Sequence, residues 1–375
     1  MDVHIREMEA ALYRRGHEVL VVGPTGPDGE KRATETFAIS TGAIREFLPP
    51  SMSEIAELGY NLVAYRRLKA AYAAFKPDLL YERNNLLLLA GMWLSQRSRL
   101  PMLLEVNAPL AYERTAHGNL AWRRLARWLE GKVWCSAAAV LPVTHVLADF
   151  VRFAGVPDSR IHVIPNGVDL RRFSANADGG AIRQRLGIND SVVLGFTGFM
   201  RPWHGLERVI DVIADQGRAL GLYLLAVGDG PARQQLEERA SEHGIVDRIR
   251  FVGAVDRSEI PAYVAAFDIA LQPSAVAYAC PLKLVEYMAM GKAIVAPDQP
   301  NIRELIEDRK TGLLIAPTNT GRLAEAIRLL AKEAGLRREL GCNAAKAVRA
   351  RGLTWDQNAE KVERLAERIV KSGTR

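Results

Sequence analysis

Several features that would announce a common function are scarce or absent in this sequence. Only three cysteines occur, Cys135, Cys280 and Cys342. They are far apart, odd in number and part of no Cys-x-x-Cys or Cys/His cluster, which argues against a disulfide framework or a zinc site and suits a reducing compartment. Apolar runs such as Leu86–Leu94 stop well short of the ~20 residues that a membrane-spanning helix requires. The opening Met1-Asp2-Val3-His4-Ile5-Arg6-Glu7 is too charged for a signal peptide. No internal repeat or low-complexity tract is visible. The net charge of +7 is spread over both halves, with no stripe of Lys and Arg interleaved with aromatics, so no nucleic-acid partner is expected. A cytoplasmic protein is expected, with membrane contact no more than peripheral, at the inner face of the cell membrane.

What is present reads as a soluble globular chain. Of its 375 residues, 49% are hydrophobic and 25% charged, enough for two domains with separate cores. Strand and helix signals alternate along the chain, which implies parallel sheets covered by helices. Residues 3–15 read as a helix closed by Gly16, followed by a strand over Glu18–Gly23. Later strands are expected at Leu79–Tyr81, Met102–Val106, Ala138–Val143 and His162–Pro165. A second series covers Val192–Thr197, Tyr223–Gly228, Ile249–Gly253, Ile269–Gln272, Ala293–Ala296 and Gly312–Ile315. These β-branched, mostly uncharged runs suit strands buried on both faces. The expected division is 1–172, 173–353 and a final helix at 354–375 N-capped by Thr354.

A doubly wound domain normally opens with a central strand, whereas this chain opens with a helix. Losing such a strand would orphan backbone groups at roughly 1–3 kcal/mol each. The expectation is therefore that the reading frame extends upstream and Met1 is internal; a rearranged or shorter first domain is the other reading.

Three segments carry chemistry. In Val192–Gly205 a strand runs into a glycine-bounded loop that opens a helix near Leu206. Gly198 permits a close backbone approach and the helix start offers positive potential. Arg201 and His204 add cationic donors for phosphate oxygens, although a solvated strand-to-helix turn would read the same. Gly228-Asp229-Gly230-Pro231 matches only two glycines of a dinucleotide fingerprint, with Arg233 in place of the third, so a nicotinamide cofactor is rejected. In Ala279-Cys280-Pro281-Leu282-Lys283-Leu284-Val285-Glu286, a loop enters a helix whose amides and Lys283 form an anion site. Glu286, a turn later, can accept from vicinal hydroxyls such as those of a ribose. Its apolar neighbours Val285 and Met288 argue that it has a partner.

Together with Asp2–Glu7, Arg14–Val19, Ile164–Asp169, Phe173 and Phe251-Val252-Gly253, these motifs stand in an order and spacing that resembles glycosyltransferase family four over nearly the whole chain. The resemblance implies a GT-B fold: two Rossmann-like doubly wound parallel-sheet domains facing across a cleft, here with the first N-terminal strand missing. It implies an N-terminal acceptor domain and a C-terminal nucleotide-sugar domain. It further implies hexosyl transfer with retention, no metal and no other cofactor, and a role in polysaccharide or glycoconjugate synthesis. The absence of an Asp-x-Asp pair agrees with metal independence. By position, Arg201 and His204 would face the diphosphate and Glu286 the ribose; Arg201, Lys283 and Asn107 are the expected catalytic residues, and Gly198 and Gly205 belong to the donor site. Val252 and Gly253 would meet the base through their backbone, and Gly228, Tyr278, Cys280, Pro281, Leu282 and Leu284 would complete the donor site.

Three positions depart from the family pattern. Tyr278 stands where a glutamate gripping the sugar is usual, His204 where a lysine is usual, and Asn107 where an N-domain histidine is usual. Asn107 can bond a hydroxyl but cannot shuttle a proton; His117 and His145 are nearby substitutes. The acceptor is a sugar, a lipid-linked glycan or a small molecule. A basic, aromatic stretch (Trp122, Arg123, Arg124, Arg127, Trp128, Lys132, Trp134) would suit an anionic bilayer, or would simply place Trp in the core. Two rival functions remain: a sugar-nucleotide epimerase on the same fold, and a nucleotide-sugar-binding protein whose catalysis is impaired.

Overall fold

The computed structural model describes residues 2–23, 49–116, 120–188 and 190–373. The chain forms two compact units, one of Met1–Pro165 with Ala359–Arg375, the other of Asn166–Asn358. In chain order the elements up to residue 153 are α1 (Asp2–Arg14), α2 (Pro50–Phe75), β1 (Leu80–Arg83), α3 (Ala90–Ser98), β2 (Met102–Val106), α4 (Leu110–Ala116), α5 (Arg123–Ser136), β3 (Ala139–Pro142) and α6 (His145–Phe153). Then follow α7 (Gly180–Leu186), β4 (Val192–Thr197), α8 (Leu206–Leu220), β5 (Leu222–Val227), α9 (Arg233–Glu242), β6 (Ile249–Gly253), α10 (Ile260–Ala265) and β7 (Ile269–Leu271). The series ends with α11 (Leu282–Ala289), β8 (Ala293–Pro297), α12 (Pro300–Arg303), β9 (Leu313–Ile315), α13 (Thr320–Lys332), α14 (Ala334–Ala350) and α15 (Trp355–Gly373). Among the described residues no helix is long and apolar enough to cross a membrane.

Unit 1 holds a parallel sheet in the order β1-β2-β3, with Leu80 opposite Met102 and Leu103 opposite Ala139. All five residues of β2 are buried, as a central strand covered on both faces requires. The strand expected at Glu18–Gly23 is not formed. Leu20, Val21 and Val22 are exposed and none pairs with β1 or β3, while the Val19 carbonyl accepts from Tyr13 Oη at 2.7 Å. β-propensity without a neighbouring edge makes no strand. At His162–Pro165 the expected strand is reduced to a bridge between Val140 and Ile161 and bonds from His162 N to Val140 O (2.9 Å) and Ile164 N to Pro142 O (3.0 Å). Pro165 has no N–H with which to extend the ladder.

Unit 2 holds a six-stranded parallel sheet in the order β6-β5-β4-β7-β8-β9. The chain winds outward from β4 to β6, then crosses back to β7 and winds outward to β9. The strand order reverses between β4 and β7, and the carboxyl ends of two such strands are the crevice at which open α/β sheets bind ligands. Its core packs Leu194, Phe196, Leu224 and Ile269 against Val209, Ile213, Leu323 and Ile327. Phe196, Thr197, Leu271 and Gln272, which lead into the loops after β4 and β7, are all buried.

Candidate active site

The loop after β4 is held by its neighbours rather than by itself. Gly198 N donates to Val227 O at 2.9 Å, Met200 N to Asp229 O at 2.7 Å and Gly228 N to Gly253 O at 2.8 Å. Gly228 (φ +130°) and Gly230 (φ +151°) lie against this loop: a Cβ on them would stand 2.1 Å from Gly198 O and 2.3 Å from Met200 O. The glycine pair after β5 is thus a packing device that lets two turns touch. The sequence assigned the Gly198, Gly228 and Gly253 backbone to the donor. Here the Gly198 and Gly228 amides and the Gly253 carbonyl bond to protein.

The second loop, 272–281, is clamped from the side by Asn301, which is fully buried. Its Nδ2 donates to Val276 O (3.0 Å) and Ala279 O (2.7 Å). Tyr278 is buried within this loop. Cys280 is buried too; Asn166 N donates to its Sγ at 3.4 Å and Asn166 Nδ2 to its carbonyl at 2.6 Å. Burial pushes the Cys280 thiol up to about 12, so it is a packing and anchoring group. Pro281 caps α11, where Leu282 and Leu284 point to opposite demands: Leu282 is half-buried and Leu284 fully buried.

Where the two loops approach, cations gather. Lys283 Nζ is buried without a hydrogen-bond partner and sits 3.7 Å from the centroid of the Phe196 ring. A Cβ on Gly198 would stand 3.3 Å from it, so glycine at 198 leaves this ammonium its space. Desolvation pulls the Lys283 ammonium down to about 7, with Glu286 opposing the shift. Arg201 lies over the Phe199 and Trp203 rings at 4.7 and 5.1 Å, an arrangement that holds an exposed guanidinium in place. His204 packs on Phe196 with ring centroids 5.3 Å apart, and its Nδ1 accepts from Arg201 N at 3.2 Å. Desolvation, then the charges of Lys283 and Arg201, lower His204 to about 3. The cationic role foreseen for His204 is corrected: the ring is neutral, with Nε2–H left as a donor.

Glu286 is 3% exposed and pairs with Arg257 Nη2, whose guanidinium lies 4.9 Å over the Phe173 ring. This is the partner its apolar setting demanded, on a residue that sequence reasoning did not single out. Two further residues went unnoticed. Tyr287 Oη accepts from Thr197 N at 2.7 Å, tying the end of β4 to α11. Arg208 donates to Pro273 O at 2.9 Å, and a Cβ on Gly205 would meet its Nη2 at 2.4 Å, so it bridges the two loops. Its Nη1 is buried without a partner.

In unit 1, Asn107 donates to Glu105 Oε1 at the end of β2. Glu105 also accepts from Tyr81 Oη (2.7 Å) and faces His4 Nδ1 at 3.3 Å and Arg83 Nε at 3.8 Å. Burial, with Glu105 opposing, lowers His4. His145 is the first residue of α6, and His117 lies outside the described residues. On α5 and its approach, Trp122, Leu125 and Trp128 are exposed, Trp134 is buried, and Lys132 lies over Trp128 at 5.6 Å.

Residues 1–172 match the family model described as Glycosyltransferase Family 4, and residues 179–347 match that of Glycosyl transferases group 1. An alpha-D-kanosaminyltransferase of Streptomyces kanamyceticus is 28% identical over 225 residues, 59% of this chain and 58% of that protein. A GDP-mannose-dependent alpha-mannosyltransferase of Mycobacterium tuberculosis is 26% identical over 307 residues, 81% of this chain and 76% of the other. Anabaena HepE, solved in complex with UDP, superposes with a TM-score of 0.68 at 24% identity over 79% of this chain and 80% of its own. Two parallel-sheet units, the second with a strand-order reversal between β4 and β7, and family models matching both halves lead to one conclusion: the chain belongs to glycosyltransferase family four and has the GT-B fold.

Proposed function

We propose that the protein transfers a hexosyl group from a nucleoside-diphosphate sugar to an acceptor hydroxyl, with retention at the sugar carbon and without a metal. One observation carries this reading: a buried, unpartnered Lys283 ammonium at the carboxyl ends of β4 and β7, beside Arg201 and His204. A buried ammonium without a hydrogen-bond partner is costly unless a ligand supplies one, and a diphosphate does. In this reading Glu286 accepts from the ribose, and its pairing with Arg257, which holds the carboxylate, supports that role. The kinship with a GDP-mannose-dependent enzyme and the UDP-bound fold neighbour support a nucleotide-linked donor.

Chemistry then follows from charge. The bond between the anomeric carbon and the β-phosphate oxygen breaks, and both electrons go to the phosphate. Arg201 and Lys283 stabilise the growing charge, and His204 donates from Nε2 as a neutral group. The acceptor oxygen forms its bond on the face the phosphate leaves, and its proton passes to a phosphate oxygen. No protein nucleophile is required. Acceptor recognition falls to unit 1, with Asn107 fixed by Glu105 as a hydroxyl partner. Exposed Trp122 and Trp128 among Arg123, Arg124 and Arg127 suit peripheral contact with an anionic bilayer, and hence a cytoplasmic enzyme building lipid-linked or cell-surface glycans.

Arg201→Ala and Lys283→Ala should each lower turnover at least ~tenfold, about 1.4 kcal/mol, with the fold retained. Unchanged turnover in both variants, measured with a donor found by screening UDP-, GDP- and ADP-sugars, would refute the assignment. Product formed without acceptor would point instead to epimerisation.

A further inference from the structure

Unit 1 contains a groove of about 620 Å³ between α6 and α15 that the transfer reaction leaves unused. Its volume lies within the range of small-ligand sites. One wall is the face of α6 that bears His145 and Arg152; the other is the face of α15 that bears Lys361, Arg364 and Arg368, with residues 161–164 completing the lining. The spacing of three and four along both helices puts these side chains on one face each. The lining holds four Arg and Lys side chains and two histidines against a single acid, Asp158.

Part of this charge is answered locally. Arg152 donates to Asp158 at 2.8 Å and pairs with Asp149, and Arg364 pairs with Glu360. Lys361 makes no hydrogen bond or ion pair among the described residues, and desolvation lowers its ammonium despite the nearby Glu360. Desolvation and the Arg368 charge also lower His162. The groove is thus a concave cluster of cations in which Lys361 and His162 are held below their ordinary values, the condition that a bound anion relieves. No aromatic side chain other than the two histidines lines it, so it lacks the stacking platforms of a nucleic-acid groove.

We propose that this groove binds a phosphate or diphosphate group through Lys361, Arg368 and His162, at a site of its own on unit 1. The planar fork of an arginine and the three donors of a lysine match the oxygens of such a group.

The test is isothermal titration of inorganic pyrophosphate at low salt into the wild-type chain, Lys283→Met, and the double variant Lys361→Gln/Arg368→Gln made in the Lys283→Met background. Lys283→Met separates this site from the crevice of unit 2. The groove should bind pyrophosphate with unchanged affinity in that variant, and the double variant should lose at least tenfold of it. Lys361→Arg, which keeps the charge, should preserve binding and so guards against a merely structural effect. Binding by the double variant equal to that of Lys283→Met alone, or binding abolished by Lys283→Met, would overturn the proposal. Sedimentation with phosphatidylglycerol vesicles identifies the source of the phosphate. Vesicle binding lost in the same double variant assigns it to a lipid headgroup; vesicle binding unaltered there assigns it to a soluble ligand.

Discussion

Donor affinity should follow the titration of Lys283. Burial draws its free ammonium down to about 7, so above that pH the empty crevice holds a neutral amine. A bound diphosphate restores the proton, because negative charge beside Nζ favours the ammonium. Below pH 7 both free and bound states are protonated and affinity is flat. Above pH 7 binding takes up a proton, and the dissociation constant rises tenfold per pH unit, 1.36 kcal/mol each, until the bound-state value is reached. From pH 6.5 to 8.5 the donor should bind about 25-fold more weakly, roughly 2 kcal/mol. His204, lowered to about 3, stays neutral in the empty crevice across this window, and a nucleoside-diphosphate sugar does not titrate its phosphates there. Calorimetry at pH 8 in two buffers of different ionisation enthalpy should register uptake of nearly one proton. A dissociation constant independent of pH, or the same slope in Lys283→Met, would refute the reasoning.

Lys283→Met should stabilise the fold while abolishing transfer, by about 1–3 kcal/mol at pH 7. A lysine depressed from 10.5 to about 7 makes the unfolded chain bind more protons in that interval, so the gain is full below pH 7 and fades toward pH 10.5; urea titrations at the two ends of this range check it. Gly228→Ala should cost about 2–4 kcal/mol, since it combines a φ of +130° with a Cβ 2.1 Å from Gly198 O, and thermal melts would reveal it. Arg208→Ala should weaken donor binding about tenfold with little loss of stability, because the loops after β4 and β7 lose their bridge; calorimetry decides. Burial raises Glu130 to about 7 from 4.5, against the backbone amides of Ala111 and Leu110 that it accepts from. Folded protein then binds more protons between those values, and stability falls as pH rises through them. Glu130→Gln should therefore gain about 1–2 kcal/mol relative to wild type between pH 5 and pH 8, read from denaturant midpoints.

Much of the fold was legible because buried parallel strands are written locally. Val192–Thr197, Met102–Val106 and Ile249–Gly253 form the strands expected from their β-branched runs. The run at 18–23 has the same composition and no partner edge, which local pattern cannot reveal. α2 escaped notice for a related reason: it buries Ser53, Glu54 and Asn61 while Met52, Ile55 and Leu62 face out, so no apolar stripe marks it. Asn61 bonds Leu87 O and Leu89 N across the chain, which explains the inversion without any signal in the helix itself. Lys283, Arg201 and Glu286 stood beside recognisable loop and helix signals. Arg208, Arg257, Asn301 and Tyr287 did not, since each acts on a partner 22–90 residues away. The charge of His204 was misread because neutrality comes from burial and from the two cations around it, one of them distant in sequence.

A structure determined with an intact nucleoside-diphosphate sugar bears most directly on the account. Diphosphate oxygens should lie within hydrogen-bond distance of Lys283 Nζ, at the carboxyl ends of β4 and β7, with the ammonium drawn off the face of Phe196. A donor seated elsewhere on the chain, with Lys283 still against that ring and unpartnered, would contradict it.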